Sequence, residues 1–330
     1  MKLKSIWKDF KRAIRLPFEW FGIGLGILVF SNLSHKALFG VCDFISAVVY
    51  VFDRRGRRRA LQNLRIVTGA IPADAQYIGD GVPFNPNERE KRILRRSYRN
   101  MARTVGHAFW TCRDARRRVE SVGVMSEATK VFLRENKPAV TVSGHIGCWE
   151  ILSQLAFLEG HSMMSVAKDI GTKGMTSLLM KARTSIGQEI VHANGAFRLL
   201  MEGLKNGKSL GLLVDQRVSP KRGGVWIRFL GRPLPVSAAP AFFAAKCKAP
   251  IVVAWSRPLK DGRYRCEFVD AMSSAEARDI WGATQRCAAD LEKVIKRHPS
   301  CWVLNYNLFS SRPTPNDIAE LSKKEARASR

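Results

Sequence analysis

The stretch Ala139–Leu152, AVTVSGHIGCWEIL, decides how this chain is read. A β-branched run, Ala139 to Ser143, gives way to Gly-His-Ile-Gly, and from Trp149 apolar residues recur at helical spacing (Ile151, Leu152, Leu155, Leu158). A short buried strand that feeds a helix through a glycine-bracketed turn is the repeating unit of an α/β layer. The flanking sequence repeats it. Downstream, strands are expected at 161–166, 189–192, 209–214, 225–229, 251–255 and 264–269, and helices at 176–186, 196–205, 238–246 and 275–297. The alternation predicts a layered α/β fold with a largely parallel sheet flanked by helices.

Upstream the texture differs. Residues 53–125 are rich in Arg, with apolar residues at helical spacing (Leu61 and Leu64; Ile93, Leu94, Tyr98 and Met101) on either side of a Pro/Gly/Asn-rich loop, 71–87. Residues 1–52 combine a basic amphipathic start, MKLKSIWKDFKRAIR, with an uncharged apolar segment, Trp20 to Ser34, and a second one, Ala37 to Phe52, interrupted by Asp43. Neither reaches the roughly 20 apolar residues of a bilayer span. A membrane anchor or a buried helical hairpin are the two readings; the Lys/Arg cluster before and RRGRRR (54–59) after favour the anchor on an anionic membrane surface. Residues 126–313 are expected to form the α/β core, and the Lys/Glu/Ser/Ala-rich tail 314–330 to be loose.

Composition excludes several classes. With 46% hydrophobic and 25% charged residues the chain is an ordinary globular one. Seven scattered cysteines without a C-x-x-C pair argue against a zinc cluster or a disulfide framework. The unusual quantity is the net charge of +27, from 55 Lys and Arg against 28 Asp and Glu. Such a field attracts nucleic acid, acidic lipid, or a phosphorylated or acidic-carrier substrate. A nucleic-acid protein would carry a reading helix or an aromatic strand motif, and neither stands out.

The chemistry concentrates in SGHIGCWE. His145 follows a strand, where open α/β sheets place their active residues, and Glu150 lies one helical turn on. A carboxylate that takes the Nδ1 proton of a histidine fixes its tautomer and makes the other nitrogen a base, so Glu150 is expected to orient His145. The alternative is a packed histidine beside a helix start. There is no G-x-S-x-G elbow, no phosphate loop and no dinucleotide fingerprint. Cys148, among apolar neighbours, reads as a packing residue.

VSGHIGCWEIL resembles the H-x4-D/E block of the glycerolipid acyltransferase superfamily, in the Glu-bearing version of the lipid A biosynthesis (lauroyl/myristoyl) acyltransferases. Three more blocks are similar to that family: RRRALQNLRIV (57–67), GAFRLLMEGLKNGKSLGLLVDQR (195–217) and GGVWIRFLGRPLPVSAAPAFFAAKCKAPIVV (223–253). The resemblance implies a bacterial inner-membrane enzyme, catalytic domain on the cytoplasmic side, that moves a fatty acyl chain from acyl carrier protein or acyl-CoA to a hydroxyl of a lipid A precursor, without cofactor or metal. His145 and Glu150 would be catalytic, with Lys168, Arg198, Asp215, Gln216 and Arg232 contacting substrate. The sequence departs from the family where Cys148 replaces a common Asn, and where a Trp-x-His-Arg/Lys-Arg pattern becomes Trp302 followed by Val-Leu-Asn-Tyr-Asn. A phospholipid, glycolipid or aminolipid acceptor with the same chemistry is therefore the alternative.

Overall fold

The computed structural model describes residues 24–167, 176–177, 180, 184, 186–192 and 195–328. The basic start of the chain and most of the expected helix 176–186 lie outside the described residues.

The first layer is helical. Helix α1 (His35–Phe52) buries one stripe, Leu38, Cys42, Ser46 and Tyr50, spaced four residues apart. Asp53 then caps α2 (Arg54–Val67) by accepting the Gly56 N–H at 2.8 Å, and its second oxygen accepts the Tyr98 hydroxyl at 2.8 Å. After the loop, α3 (Glu88–Trp110) opens with a reciprocal capping box between Asn87 and Glu90. The α1 stripe lies along α3, where Gly106 gives Cys42 room to approach, and Arg103 forks onto Asp43 with both bonds at 2.7 Å.

Helix α4 (Ala115–Val122), β1 (Gly123–Met125) and α5 (Glu127–Glu135) lead into β2 (Val140–Ser143), α6 (Trp149–Leu158), β3 (Met163–Ala167), β4 (Glu189–His192), α7 (Ala196–Lys205) and β5 (Ser209–Leu213). The chain continues through β6 (Gly224–Phe229), β7 (Arg232–Ser237), α8 (Ala239–Cys247), β8 (Ile251–Pro258), β9 (Tyr264–Met272), α9 (Ile280–Arg297) and α10 (Pro315–Ala328). Seven strands form one sheet in the order β1-β9-β8-β2-β5-β3-β4, parallel throughout except for the antiparallel pair β8/β9. The expected α/β class and mostly parallel sheet are what the structure contains.

Two expectations are corrected and one strand is added, which makes three departures from the sequence reading. The 225–229 strand is not part of the sheet: it pairs with β7 as a separate antiparallel hairpin. The two-residue turn Leu230-Gly231 has positive φ at both positions (52° and 75°), the geometry that closes a twisted ribbon. Pro233 and Pro235 hid β7 in the sequence, because proline cannot serve an interior strand; a two-stranded ribbon has free edges on both sides. Third, the tail is helical over α10, which buries Leu321 and pairs Glu325 with Arg228 at 3.0 Å.

Two neighbouring strands send the chain in opposite directions. From β2 it passes through α6 to β3, and from β5 through α8 to β8. Right-handed crossovers then put α6 and α8 on opposite faces of the sheet, and the core splits accordingly. Ile151, Leu152 and Leu155 of α6 pack with Val119 and Val122, whereas Ala241, Phe243 and Ala244 of α8 belong to the larger cluster with Val140, Val142 and Leu210. The carboxyl ends of β2 and β5 are therefore the switch point of the sheet, the place where such sheets bind ligands.

Gly147, in the turn after β2, has φ +65°, and a Cβ there would sit 1.6 Å from the Ser256 carbonyl oxygen. Gly147→Ala is expected to cost well over the roughly 1–2 kcal/mol of the left-handed conformation alone. Gly207→Ala, also at positive φ but facing open space, should cost no more than that conformational term. Chemical denaturation of the two variants side by side measures the difference.

Candidate active site

Strands β2 and β5 are in register from Val140 opposite Leu210 to Ser143 opposite Leu213. Two residues past that last pair stand His145 and Asp215, so the ladder brings them together. The Asp215 carboxylate receives three donors. Its Oδ2 accepts the His145 backbone N–H at 2.8 Å and the Trp302 indole N–H at 2.9 Å, and its Oδ1 faces His145 Nδ1 at 2.8 Å. Gly144 makes room for the carboxylate, since a Cβ at that position would lie 3.0 Å from its carbon.

Asp215 is 4% exposed, and burial alone would push its proton affinity up. The charge of His145 and the three hydrogen bonds outweigh that, holding the carboxyl below its ordinary value. An ionised carboxylate at Nδ1 makes that nitrogen the N–H donor and leaves the Nε2 lone pair as the acceptor, which the Gln216 amide N–H meets. The Gln216 amide nitrogen stands 3.1 Å from Nε2. Trp149 meets the imidazole edge-on at 4.9 Å between centroids, and Tyr306 lies nearly parallel to it at 6.4 Å. The ring keeps one exposed edge between two aromatic walls, at the entrance to α6. Such an imidazole can take a proton from a hydroxyl.

The structure thus unites His145, Asp215 and Gln216. Glu150 is corrected in its role: it is buried in the first turn of α6, where it accepts the Trp149 indole N–H at 3.0 Å, and the partner on His145 Nδ1 is Asp215. Five residues along a turn entering a helix do not bring a carboxylate to the ring as directly as the next strand of a ladder does. Lys168 lies outside the described residues. Arg198 is not drawn in; its side chain is 83% exposed on α7, within 3.8 Å of Glu202. Arg232 is buried and spends both terminal nitrogens on the loop, donating to Ala75 O at 2.7 Å and Pro72 O at 2.6 Å. It thereby fastens the loop at Pro72 and Ala75. Trp302 and Tyr306 were not legible as site residues, since they join His145 only through the path of the chain after α9.

A family model described as bacterial lipid A biosynthesis acyltransferase matches residues 7–311. The chain belongs to that family. It is an acyltransferase of lipid A biosynthesis, and its reaction needs an acyl donor and a lipid acceptor. A search of curated proteins returns no match. Within the family blocks quoted above, the histidine of H-x4-E pairs through Nδ1 with the aspartate of the Asp-Gln pair.

Cys148, beside this histidine, is fully buried, and burial pushes its thiol up to about 12. Iodoacetamide at pH 8 should leave Cys148 unmodified in the folded protein, as read by peptide mass spectrometry. Asp215 should also show in the pH dependence of stability. A carboxyl depressed in the folded state contributes above its unfolded value near pH 4 and loses that contribution as pH falls through the lower folded value. The stability deficit of Asp215→Asn, measured by denaturation, should therefore be largest at neutral pH and shrink below about pH 4.

Proposed function

We propose that the protein transfers a fatty acyl group from a carrier thioester, acyl carrier protein being the favoured donor, to a hydroxyl of a lipid A precursor, with His145 as general base and Asp215 as its orienting carboxylate. The observation that carries this reading is the His145–Asp215 pair at the switch between β2 and β5. The acceptor hydroxyl gives its proton to His145 Nε2 as its oxygen attacks the thioester carbonyl. The resulting imidazolium is stabilised by the ionised Asp215 at Nδ1. The tetrahedral oxyanion collapses, the carbon–sulfur bond breaks, and His145 returns the proton to the departing thiolate. An ester and a free carrier thiol result, with no acyl group on the enzyme. The buried, protonated Cys148 is no competitor for the thioester.

The positive charge serves the same reaction. An acidic carrier and a phosphorylated lipid are both attracted by a surface of net charge +27, and salt should raise the KM for a protein carrier more than for a small thioester.

Membrane attachment follows from α1. Among the described residues it is the one helix long and apolar enough to cross a bilayer, with a mean hydropathy of 1.5. Opposite its buried stripe it exposes Phe44, Val48 and Phe52, with Phe52 79% exposed. Its other side is fastened to the Arg-rich α3 through Asp43 and Arg103, and a spanning α1 would drag that helix into hydrocarbon. The helix therefore fits the plane of the interface, its apolar side in lipid and Arg54, Arg55 and Arg58 at the headgroups, on the cytoplasmic side of a bacterial inner membrane.

His145→Ala should abolish acyl transfer, and Asp215→Asn should lower kcat by about 10² to 10⁴. Glu150→Gln should cost less than Asp215→Asn, because it acts on Trp149 rather than on the imidazole. Turnover of purified variants with acyl carrier protein thioester and a lipid A precursor tests the set; near-normal turnover of His145→Ala would end this reading. Replacing Phe44, Val48 and Phe52 together by Ser should release the protein from sedimented membranes while leaving its helical circular dichroism intact, and retention at wild-type levels would exclude the in-plane attachment.

A further inference from the structure

Trp302 lies 87 residues beyond Asp215, in a segment between α9 and α10 that contains neither catalytic group. Its indole N–H is nonetheless one of the three donors on the Asp215 carboxylate, in a fully buried bond of 2.9 Å to Oδ2. Oδ2 is also the oxygen that takes the His145 backbone N–H, which leaves Oδ1 for the ring. The indole thus selects which carboxylate oxygen serves the imidazole.

Trp302 is itself held from two sides. Its backbone runs antiparallel to the His145 turn: Ile146 bridges to Trp302, the Val303 N–H donates to His145 O at 3.1 Å, and the Gly147 N–H donates to Cys301 O at 2.8 Å. From the other side the helical layer grips the same segment. Ser97 of α3 donates to Trp302 O at 2.6 Å, Asn100 to Ser300 O at 2.8 Å, and Asn63 of α2 to Leu304 O at 2.7 Å and Tyr306 O at 2.8 Å. Each of these bonds occupies a backbone carbonyl of a segment whose regular structure is limited to short 3-10 turns, and those to Trp302 and Leu304 would otherwise be buried unpaired.

We infer that Trp302 is a positioning residue of the acyl transfer, fixing Asp215 through its indole N–H so that Oδ1 meets His145 Nδ1, and that α2 and α3 transmit their packing to the base through it. This rests on the reading of His145 and Asp215 given above, and makes the tryptophan a determinant of turnover rather than of substrate affinity.

The test is a double-mutant cycle with a spectroscopic arm. Trp302→Phe, in the full-length detergent-solubilised protein, is expected to lower kcat about 10- to 100-fold with KM changed less than about 2-fold, the pattern of a lost transition-state interaction. In the Asp215→Asn background the same substitution should change kcat less than about 2-fold, since its route to His145 is already cut. A tryptophan that merely supports the fold would give equal losses in both backgrounds, and that result overturns the inference. Should Trp302→Phe fold poorly, benzothienylalanine at 302 keeps the indole shape and deletes only the N–H. The low-field proton resonance of His145 Nδ1, assigned by its loss in His145→Ala, should shift and broaden in that variant, and an unchanged resonance likewise overturns the proposal. The resonance is read without turnover, so a wild-type protein inactive toward lipid acceptors would defeat the functional reading while this arm still decides the role of Trp302.

Discussion

A carboxylate buried to 4% exposure, with no Lys or Arg among the described residues bonded to it, organises this molecule. Desolvating a charge is expensive, and Asp215 remains ionised only because a backbone N–H, an indole N–H and an imidazole converge on it. Two of those donors belong to His145 and the third to Trp302, far along the chain. The backbone N–H and the ring require β2 and β5 in one register; the indole requires the segment after α9 to run back along the His145 turn; that run requires Asn63, Ser97 and Asn100 to occupy its carbonyls. Loss of any one leaves a charge unpaired in the interior, so the constraint reaches from the first helices to the last turn.

The same constraint explains why the proposed chemistry needs so few side chains. A hydroxyl is a poor nucleophile at neutral pH, and an imidazole with free rotation is a poor base because its tautomer and aim vary. Locking Nδ1 against an ionised partner resolves both, and it leaves Nε2 as the accepting nitrogen. The strand ends are rigid, which suits a group whose aim matters to fractions of an ångström. The aromatic walls, Trp149 and Tyr306, restrict approach to the ring, and Tyr306 stands within the Val-Leu-Asn-Tyr-Asn stretch where the family carries basic residues.

Basic residues divide by location. Arg232 serves the architecture: its buried guanidinium spends both terminal nitrogens on carbonyl oxygens of the loop 71–87 and so pins it. Arg103 uses its fork to clasp α1 to α3. Arg198 stays in solvent, where it adds only to the long-range field. A net charge of +27 thus contains structural cations, which are spent on internal contacts, and exposed cations such as Arg54 and Arg55.

Local physics is what the sequence by itself determined. Periodicity, β-branched runs, glycine turns and caps act over a few residues, so the α/β class, most strands and helices, the Arg-rich helical layer and the histidine at a strand end were all legible in it, and the ordered blocks carried the family. The failures share one cause. Glu150 is near His145 in the chain and Asp215 is 70 residues away, yet the register of a parallel ladder brings the distant carboxylate to the ring. β7 was hidden by prolines that only a two-stranded ribbon excuses, and the tail helix by a composition that reads as loose until Leu321 and Glu325 find their contacts. Trp302 carries no local sign of its role. Strand order and register are properties of pairing between remote segments, decided by which arrangement buries the apolar faces and satisfies the buried charge together, and that choice exists only in the folded chain.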